Sequence, residues 1–164
     1  MSETITTLLA MARERASHGD PTHVDDVIDE LRDAAGETVE LVADVASDAA
    51  VIVPAAVLVR VLAPVVDNAA RFAESRVDVE ARREGGSVVI EVEDDGPGLA
   101  AGVRERAFEP GFSGRGGTGL GLPLSRRIAA TVGGSVEAVD ARGSGARFRV
   151  ALPAAPDRAH NVSL

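Results

Sequence analysis

Cysteine, tryptophan and tyrosine are all absent from the 164 residues. Without thiols the chain can form neither disulfides nor thiolate metal sites, which is compatible with a cytoplasmic location. Positive charge is also in short supply, with 17 Lys and Arg against 26 Asp and Glu and a net charge of −9. No basic stripe is visible, which excludes the electrostatic footprint of a nucleic-acid binder. Nowhere does the chain hold the run of about 18 apolar residues that a membrane span needs, so no membrane contact is expected. A secretory leader is not expected either, because the stretch from Met1 to Asp20 is amphipathic and carries acids. Apolar residues still make up 45% of the chain, with only four phenylalanines, so the core must be aliphatic. The length suits one domain with a sizeable core.

Ile5, Leu8, Leu9 and Ala12 recur at helical spacing and predict an amphipathic helix over about Ser2 to Ala16, stopped by Gly19-Asp20-Pro21. Val24 to Ala35 reads as a second helix, with Val24, Val27, Ile28 and Leu31 on one face and acids on the other. Thr38 to Val45 and Val51 to Val53 read as strands, and Pro54 fits the first turn of a long helix reaching Phe72. Val77 to Arg82 and Ser87 to Glu93 alternate around Glu84-Gly85-Gly86, as a β-hairpin does. A short helix over about Ala100 to Arg106 and a last one over Leu120 to Val132 follow. A final hairpin, Ser135 to Ala141 with Ala146 to Leu152, turns at Gly143-Ser144-Gly145. From Pro153 the composition predicts a disordered tail.

The chain is organised around Asp94 to Leu122, DDGPGLAAGVRERAFEPGFSGRGGTGLGL. Asp94, Gly96 and Gly98 follow an alternating strand, so a carboxylate stands where glycines let a ligand edge approach the backbone. Gly117, Gly119 and Gly121 open a helix, whose free N–H groups and positive dipole end suit phosphate. Between them lies a Gly-rich loop suited to being a mobile lid. Either cluster alone describes an ordinary turn. Their order and spacing together point to a ligand site that takes a hydrogen-bonding edge at one end and phosphate at the other.

These residues resemble the G1 box (Asp94, Gly96, Gly98), the F box (Phe108 to Phe112) and the G2 box (Gly117, Gly119, Gly121) of the GHKL ATPase and kinase superfamily. Within it, the ATP-binding catalytic domain of bacterial sensor histidine kinases is the nearest pattern. Val59 to Phe72 resembles the N box. The resemblance implies a Bergerat-type α/β sandwich over about Thr22 to Leu152, one mixed β-sheet covered on one face by helices. It implies ATP and Mg²⁺ as ligands, with Asn68 coordinating Mg²⁺ and Asp94 accepting from the adenine amino group. Arg71 would reach a phosphate, and Phe72 and Phe112 would pack at the nucleotide. Gly117, Thr118, Gly119, Leu120 and Gly121 would cradle the phosphates, and Arg115 would be the lid cation near the γ-phosphate. Asp95 is expected to face solvent or water in the site. Acidity is no obstacle, because the cation and local N–H groups set the field at the phosphates.

One position departs from the family pattern. Pro64 stands where the family has its first Asn, and where the ATP-hydrolysing relatives carry a Glu acting as general base. Proline cannot take that role, removes an N–H and pushes on the carbonyl of Arg60, so a kink is expected. The expected function is phosphoryl transfer from ATP to a histidine on a separate dimerisation domain, reached in cis in the full protein or in trans. A response regulator is the indirect partner, and a membrane-anchored parent kinase is compatible with a cytoplasmic site. Met1 to His18 resembles the end of a dimerisation helix, with the phosphoacceptor upstream. His18, His23 and His160 lack the acid and proline that mark an acceptor. Two other readings are an anti-sigma-factor serine kinase and a nucleotide-gated binding module without catalysis.

Overall fold

The computed structural model describes residues 6–7, 21–100, 102–112 and 119–156. Thr6 and Thr7 are helical; the rest of the helix expected over Ser2 to Ala16 lies outside the described residues. A two-residue strand, β1 (Thr22–His23), leads into a 3-10 turn over Val24–Val27 and helix α1 (Ile28–Ala35). The single helix expected over Val24 to Ala35 is thus divided. His23 sets the tighter first turn, because its Nδ1 accepts the Asp25 N–H at 3.3 Å while its own N–H donates to the Asp26 carboxylate at 3.3 Å. Gly36 at φ 80° ends α1, a backbone conformation that glycine tolerates without penalty.

Strands β2 (Glu40–Val45) and β3 (Ala50–Val51) follow, then α2 (Ala55–Phe72), which runs through Pro64 with Pro54 as its N-cap. The hairpin of β4 (Arg76–Glu84) and β5 (Ser87–Asp94) precedes a short α3 (Val103–Arg106). After α4 (Gly121–Thr131) come β6 (Ser135–Val139) and β7 (Arg147–Pro153). The main sheet has the order β2-β4-β5-β7-β6; β2 and β4 are parallel and the other pairs antiparallel. The expected mixed α/β sandwich is therefore present. Beside it lies a small antiparallel ribbon of β1 and β3: the strand expected over Val51 to Val53 is present as Ala50–Val51, and only β1 is unexpected.

Strand periodicity separates the two faces of the sheet. Val77, Val79 and Ala81 of β4, Val88, Ile90 and Val92 of β5, and Phe148, Val150 and Leu152 of β7 are buried in one core with Leu31 of α1, Leu58, Leu62 and Val65 of α2 and Ile128 of α4. Each fully buried aliphatic side chain contributes roughly 1.5–3 kcal/mol. The long α2 carries the widest apolar stripe and contacts α1, α4, β4 and β5. A buried hydroxyl ties α4 to it: Ser125 Oγ donates to the Val61 carbonyl, one turn before Pro64.

The opposite face is charged. Glu91 at its centre is only 5% exposed and accepts from Arg82 at 3.0 Å, Arg142 at 3.2 Å and Arg147. Burial alone would raise its pKa, but hydrogen bonds from Arg82 and Arg147 outweigh that and lower it to about 2. The fold also continues past the start of the expected tail. Pro153 closes β7, Ala154 bridges Val51, and the buried Ala155 accepts from Arg83 at 2.8 Å. The remainder of that tail, 157–164, lies outside the described residues.

Candidate nucleotide-binding site

Central strand β5 ends at Asp94, which is 4% exposed. Oδ1 accepts the Gly96 N–H at 2.8 Å and the Ala146 N–H at 3.4 Å. Oδ2 is buried and has no hydrogen-bond partner, which holds for no other buried side-chain N or O atom among the described residues. Burial raises the Asp94 pKa, against the opposing effect of the two backbone donors. A buried carboxylate oxygen without a donor costs free energy, and a ligand N–H would relieve it.

Two glycines make this arrangement possible. A Cβ on Gly96 would lie 2.0 Å from the Phe72 carbonyl oxygen, and one on Gly145 would lie 1.7 Å from the Asp94 carbonyl oxygen. The G1 box is thus wedged between the end of α2 and the β6–β7 connection. Asp95 completes the wedge. Its Oδ1 accepts the backbone N–H groups of Glu74, Ser75 and Arg76 at 2.8, 3.0 and 3.1 Å. Asp95, expected to face solvent or water in the site, is half-exposed, and its carboxylate is engaged by the turn. Hydrogen bonds from the Ser75 hydroxyl and backbone come first among the causes that hold its carboxyl well below the usual range, so it is a charged anchor for the turn between α2 and β4.

A cavity of about 660 Å³ opens beside this knot. Asn68, Arg71 and Phe72 line it from α2, Gly98 from the G1 box, Phe112 from the F box, and Gly119 and Gly121 from the G2 box. Seven residues expected at a nucleotide on sequence grounds are thereby brought to one cavity. Asp94 and Gly96 are not among the lining residues, although Gly98 of the same motif is. Leu120 is 57% exposed and is not among the lining residues. Arg115, Gly117 and Thr118 lie outside the described residues. Arg71, expected to reach a phosphate, lines the cavity and is paired there with Asp67 one helical turn earlier. Pro64 also lines it, and its ring packs where a Cβ on Gly121 would come within 3.4 Å. The wall at that point is apolar, without an amide or carboxylate.

Asp67 is a charged lining residue that sequence reasoning misses, and four apolar ones it misses are Leu99, Ala100 and Val103 before the F box and Phe148 on β7. None of these four carries a polar signature, and the register sets Phe148 opposite Val92. The F-box segment is held by its aromatics. Phe108 meets Phe148 edge-on at 6.1 Å, Arg126 lies 4.6 Å over Phe108, and Arg106 lies 4.7 Å over Phe112. Gly111 donates its N–H to the Gly119 carbonyl at 3.0 Å, so the F and G2 boxes are joined at their facing ends.

The sequence profile of the histidine kinase-, DNA gyrase B-, and HSP90-like ATPases matches residues 55–156. The chain belongs to this family. It is 38% identical over 118 residues to the sensor protein KdpD of Mycobacterium tuberculosis, covering 68% of this chain and 14% of that protein. To the sensor-like histidine kinase SenX3 of Mycobacterium bovis it is 34% identical over 132 residues, covering 75% of this chain and 32% of the relative. The chain thus spans about a third or less of these curated relatives. Among solved structures, the mycobacterial sensor histidine kinase MprB superposes with TM-score 0.71 at 25% identity, covering 84% of this chain and all of that one. Full-length ShkA in complex with AMPPNP superposes with TM-score 0.70 at 26% identity, covering 95% of this chain and 37% of that one. The sandwich is the fold of this family, and its G1, N and F boxes meet at one cavity.

Proposed function

We propose that this chain is the ATP-binding catalytic domain of a sensor histidine kinase. It holds Mg-ATP and presents the γ-phosphoryl group to a histidine on a separate dimerisation domain, with a response regulator as the indirect partner. The observation that carries this reading is the unpartnered Oδ2 of Asp94, buried beside a cavity lined by the N, G1, F and G2 boxes. A 6-amino group on a purine supplies the missing donor. Phe72, Phe112 and Phe148 offer apolar surface to the base, and the start of α4 directs N–H groups toward phosphate.

The donor set also fits Mg²⁺. Among the described residues no group of three or more His, Asp or Glu could cage a metal alone. Asn68 lines the cavity, and its side-chain oxygen would be one ligand. Mg²⁺ characteristically binds through one or two protein ligands, substrate phosphates and retained waters. When bound it neutralises charge on the transferring phosphoryl group. This chain's residues then act by binding and orienting, with the nucleophile supplied from elsewhere. Pro64 in the cavity wall has no side chain able to activate water, which favours transfer over hydrolysis. No helix among the described residues is long and apolar enough to cross a membrane, and we place the domain in the cytoplasm.

Asp94→Asn tests the reading directly. Removing a buried charged acceptor costs roughly 1.5–3 kcal/mol, about 10- to 150-fold in ADP affinity by calorimetry. Unchanged affinity would remove Asp94 from the site. Asn68→Ala should weaken the dependence of ATP binding on Mg²⁺, and metal-independent binding by the parent chain would count against Asn68 as ligand.

A further inference from the structure

The Asp94 carboxylate is held from two sides, and one of them lies outside the glycine-rich motifs. Asp94 donates its N–H to the Ala146 carbonyl at 3.0 Å, and Ala146 returns its own N–H to Oδ1 at 3.4 Å. Next to it, a Cβ on Gly98 would lie 2.7 Å from the Ser144 carbonyl oxygen. The backbone of Ser144 to Ala146 is thus packed against both ends of the G1 box. Yet Asp140, Arg142, Gly143 and Ser144, which lead into it, are exposed and bring no apolar anchor.

The anchor is ionic and sits on the other face of the sheet. Arg142 donates its backbone N–H to Glu93 Oε2 at 3.0 Å, and its guanidinium reaches Glu80 at 2.9 Å and Glu91 at 3.2 Å. At the start of the connection, Asp140 accepts from Arg104 at 2.8 Å. Successive residues on a strand project to opposite faces, so Glu91 and Glu93 point away from the side on which Asp94 is buried. Arg142 therefore fastens the connection to the same strand that carries the carboxylate, from behind.

We propose that Arg142 is a positioning residue for recognition of the adenine base. Its grip on Glu80, Glu91 and Glu93 keeps Gly145 and Ala146 on Asp94, so that Oδ1 stays occupied and Oδ2 is left as the acceptor for a 6-amino group. The inference rests on the preceding reading of Asp94. Without the guanidinium, the Ala146 N–H leaves Oδ1, the carboxylate gains freedom to rotate, and the acceptor is no longer held in place. Glu91 would retain Arg82 and Arg147, so the sheet itself keeps its central pairs.

The test compares ADP with the diphosphate of purine riboside, which lacks the 6-amino group, by calorimetry on the whole chain with Mg²⁺ present. The parent chain should prefer ADP by about 10-fold or more, as expected for a hydrogen bond to a charged group. Asp94→Asn should abolish the preference. Arg142→Ala should reduce ADP affinity by roughly 3- to 10-fold and leave the deaminated ligand within about 2-fold, narrowing the preference. A purely structural role would weaken both ligands alike, and that outcome overturns the proposal. So does an unchanged preference in Arg142→Ala when Asp94→Asn has lost it, a result that leaves the nucleotide reading standing. A preference that survives Asp94→Asn sinks both. If Arg142→Ala fails to fold, Arg142→Gln keeps the stem and the backbone bond while dropping the charge, and its result decides in the same way.

Discussion

Asp95 closes on Ser75 with both carboxylate oxygens, Oδ1 taking the backbone N–H at 3.0 Å and Oδ2 the hydroxyl at 2.6 Å. With the Glu74 and Arg76 N–H groups on Oδ1 as well, one side chain satisfies three successive backbone donors just past the end of α2. Such concave donor arrays bind anions, and here the anion is built in. Asp95→Ala should leave these donors to water and loosen the turn on which the G1 box rests. The melting temperature should fall, and ADP affinity should fall with it. Asp95→Asn, which keeps one acceptor oxygen, should lie between Ala and the parent chain. Equal melting temperatures for Ala and the parent would show that the turn does not depend on the carboxylate.

Much of the site is legible in the amino-acid sequence, for identifiable reasons. Val88 to Val92 alternate and end at Asp94, and Glu84-Gly85-Gly86 signals a tight turn, so the central hairpin and the carboxylate at its end follow from period and turn chemistry. What escapes is pairing that depends on three-dimensional proximity. Asp95 is 20 residues from Ser75 in sequence, and nothing local distinguishes it from a solvated acid. Arg71 could as well be free for phosphate; only its rotamer on α2 brings it to Asp67. β1 has two residues, too few for any alternation to register. Gly143-Ser144-Gly145 reads as a turn in either case, and its contact with Asp94 belongs to the fold alone.

That contact gives a sharp comparison between two glycines of one turn. A Cβ on Gly145 would meet the Asp94 carbonyl oxygen at 1.7 Å, whereas one on Gly143 would meet nothing within 4 Å. Because the obstacle is backbone, the chain must move to admit a methyl group. Gly145→Ala should therefore destabilise by at least the roughly 1–3 kcal/mol typical of overpacking, and should also lower nucleotide affinity. Gly143→Ala should stay within about 0.5 kcal/mol of the parent chain, as surface substitutions usually do. Urea titration of both variants checks the pair. Similar midpoints would mean that the connection does not press on the G1 box.

Acid should unmask the charged face of the sheet. Glu91 has a folded-state pKa of about 2 against an ordinary value of 4.5, and Asp95 is displaced in the same direction from 3.8. Both groups stabilise the fold fully above their ordinary values and lose that contribution as pH falls toward their folded-state values. Asp94 acts in the opposite sense, since burial raises its pKa, and its protonation relieves the penalty on the buried charge. Two depressed groups against one raised group predict a net loss of stability on acidification below about pH 4.5. Glu91→Gln should cost roughly 1–3 kcal/mol at neutral pH and flatten that acid limb, as measured by urea midpoints across the range. An equally steep limb in the variant would place the titration elsewhere.

Phosphoryl transfer makes the last prediction. A reacting nucleophile must sit in line with the γ-phosphate at about 3–3.5 Å, so binding ATP is not enough. The chain has three histidines. Both ring nitrogens of His23 are engaged, Nδ1 with the Asp25 N–H at 3.3 Å and Nε2 with the Ser47 carbonyl at 3.0 Å. They fix the first turn before α1, and His23 is not among the residues lining the cavity. His18 and His160 lie outside the described residues, and neither stands in an acceptor motif. The purified chain should therefore bind γ-labelled ATP without labelling itself. Mixed with a dimerisation domain that carries the acceptor histidine, it should label that partner in trans. The product should be acid-labile and base-stable, as a phosphohistidine is and a phosphoserine is not. An acid-stable product on the partner would promote a serine kinase, and nucleotide binding with no transfer to any histidine partner would promote a nucleotide-gated binding module.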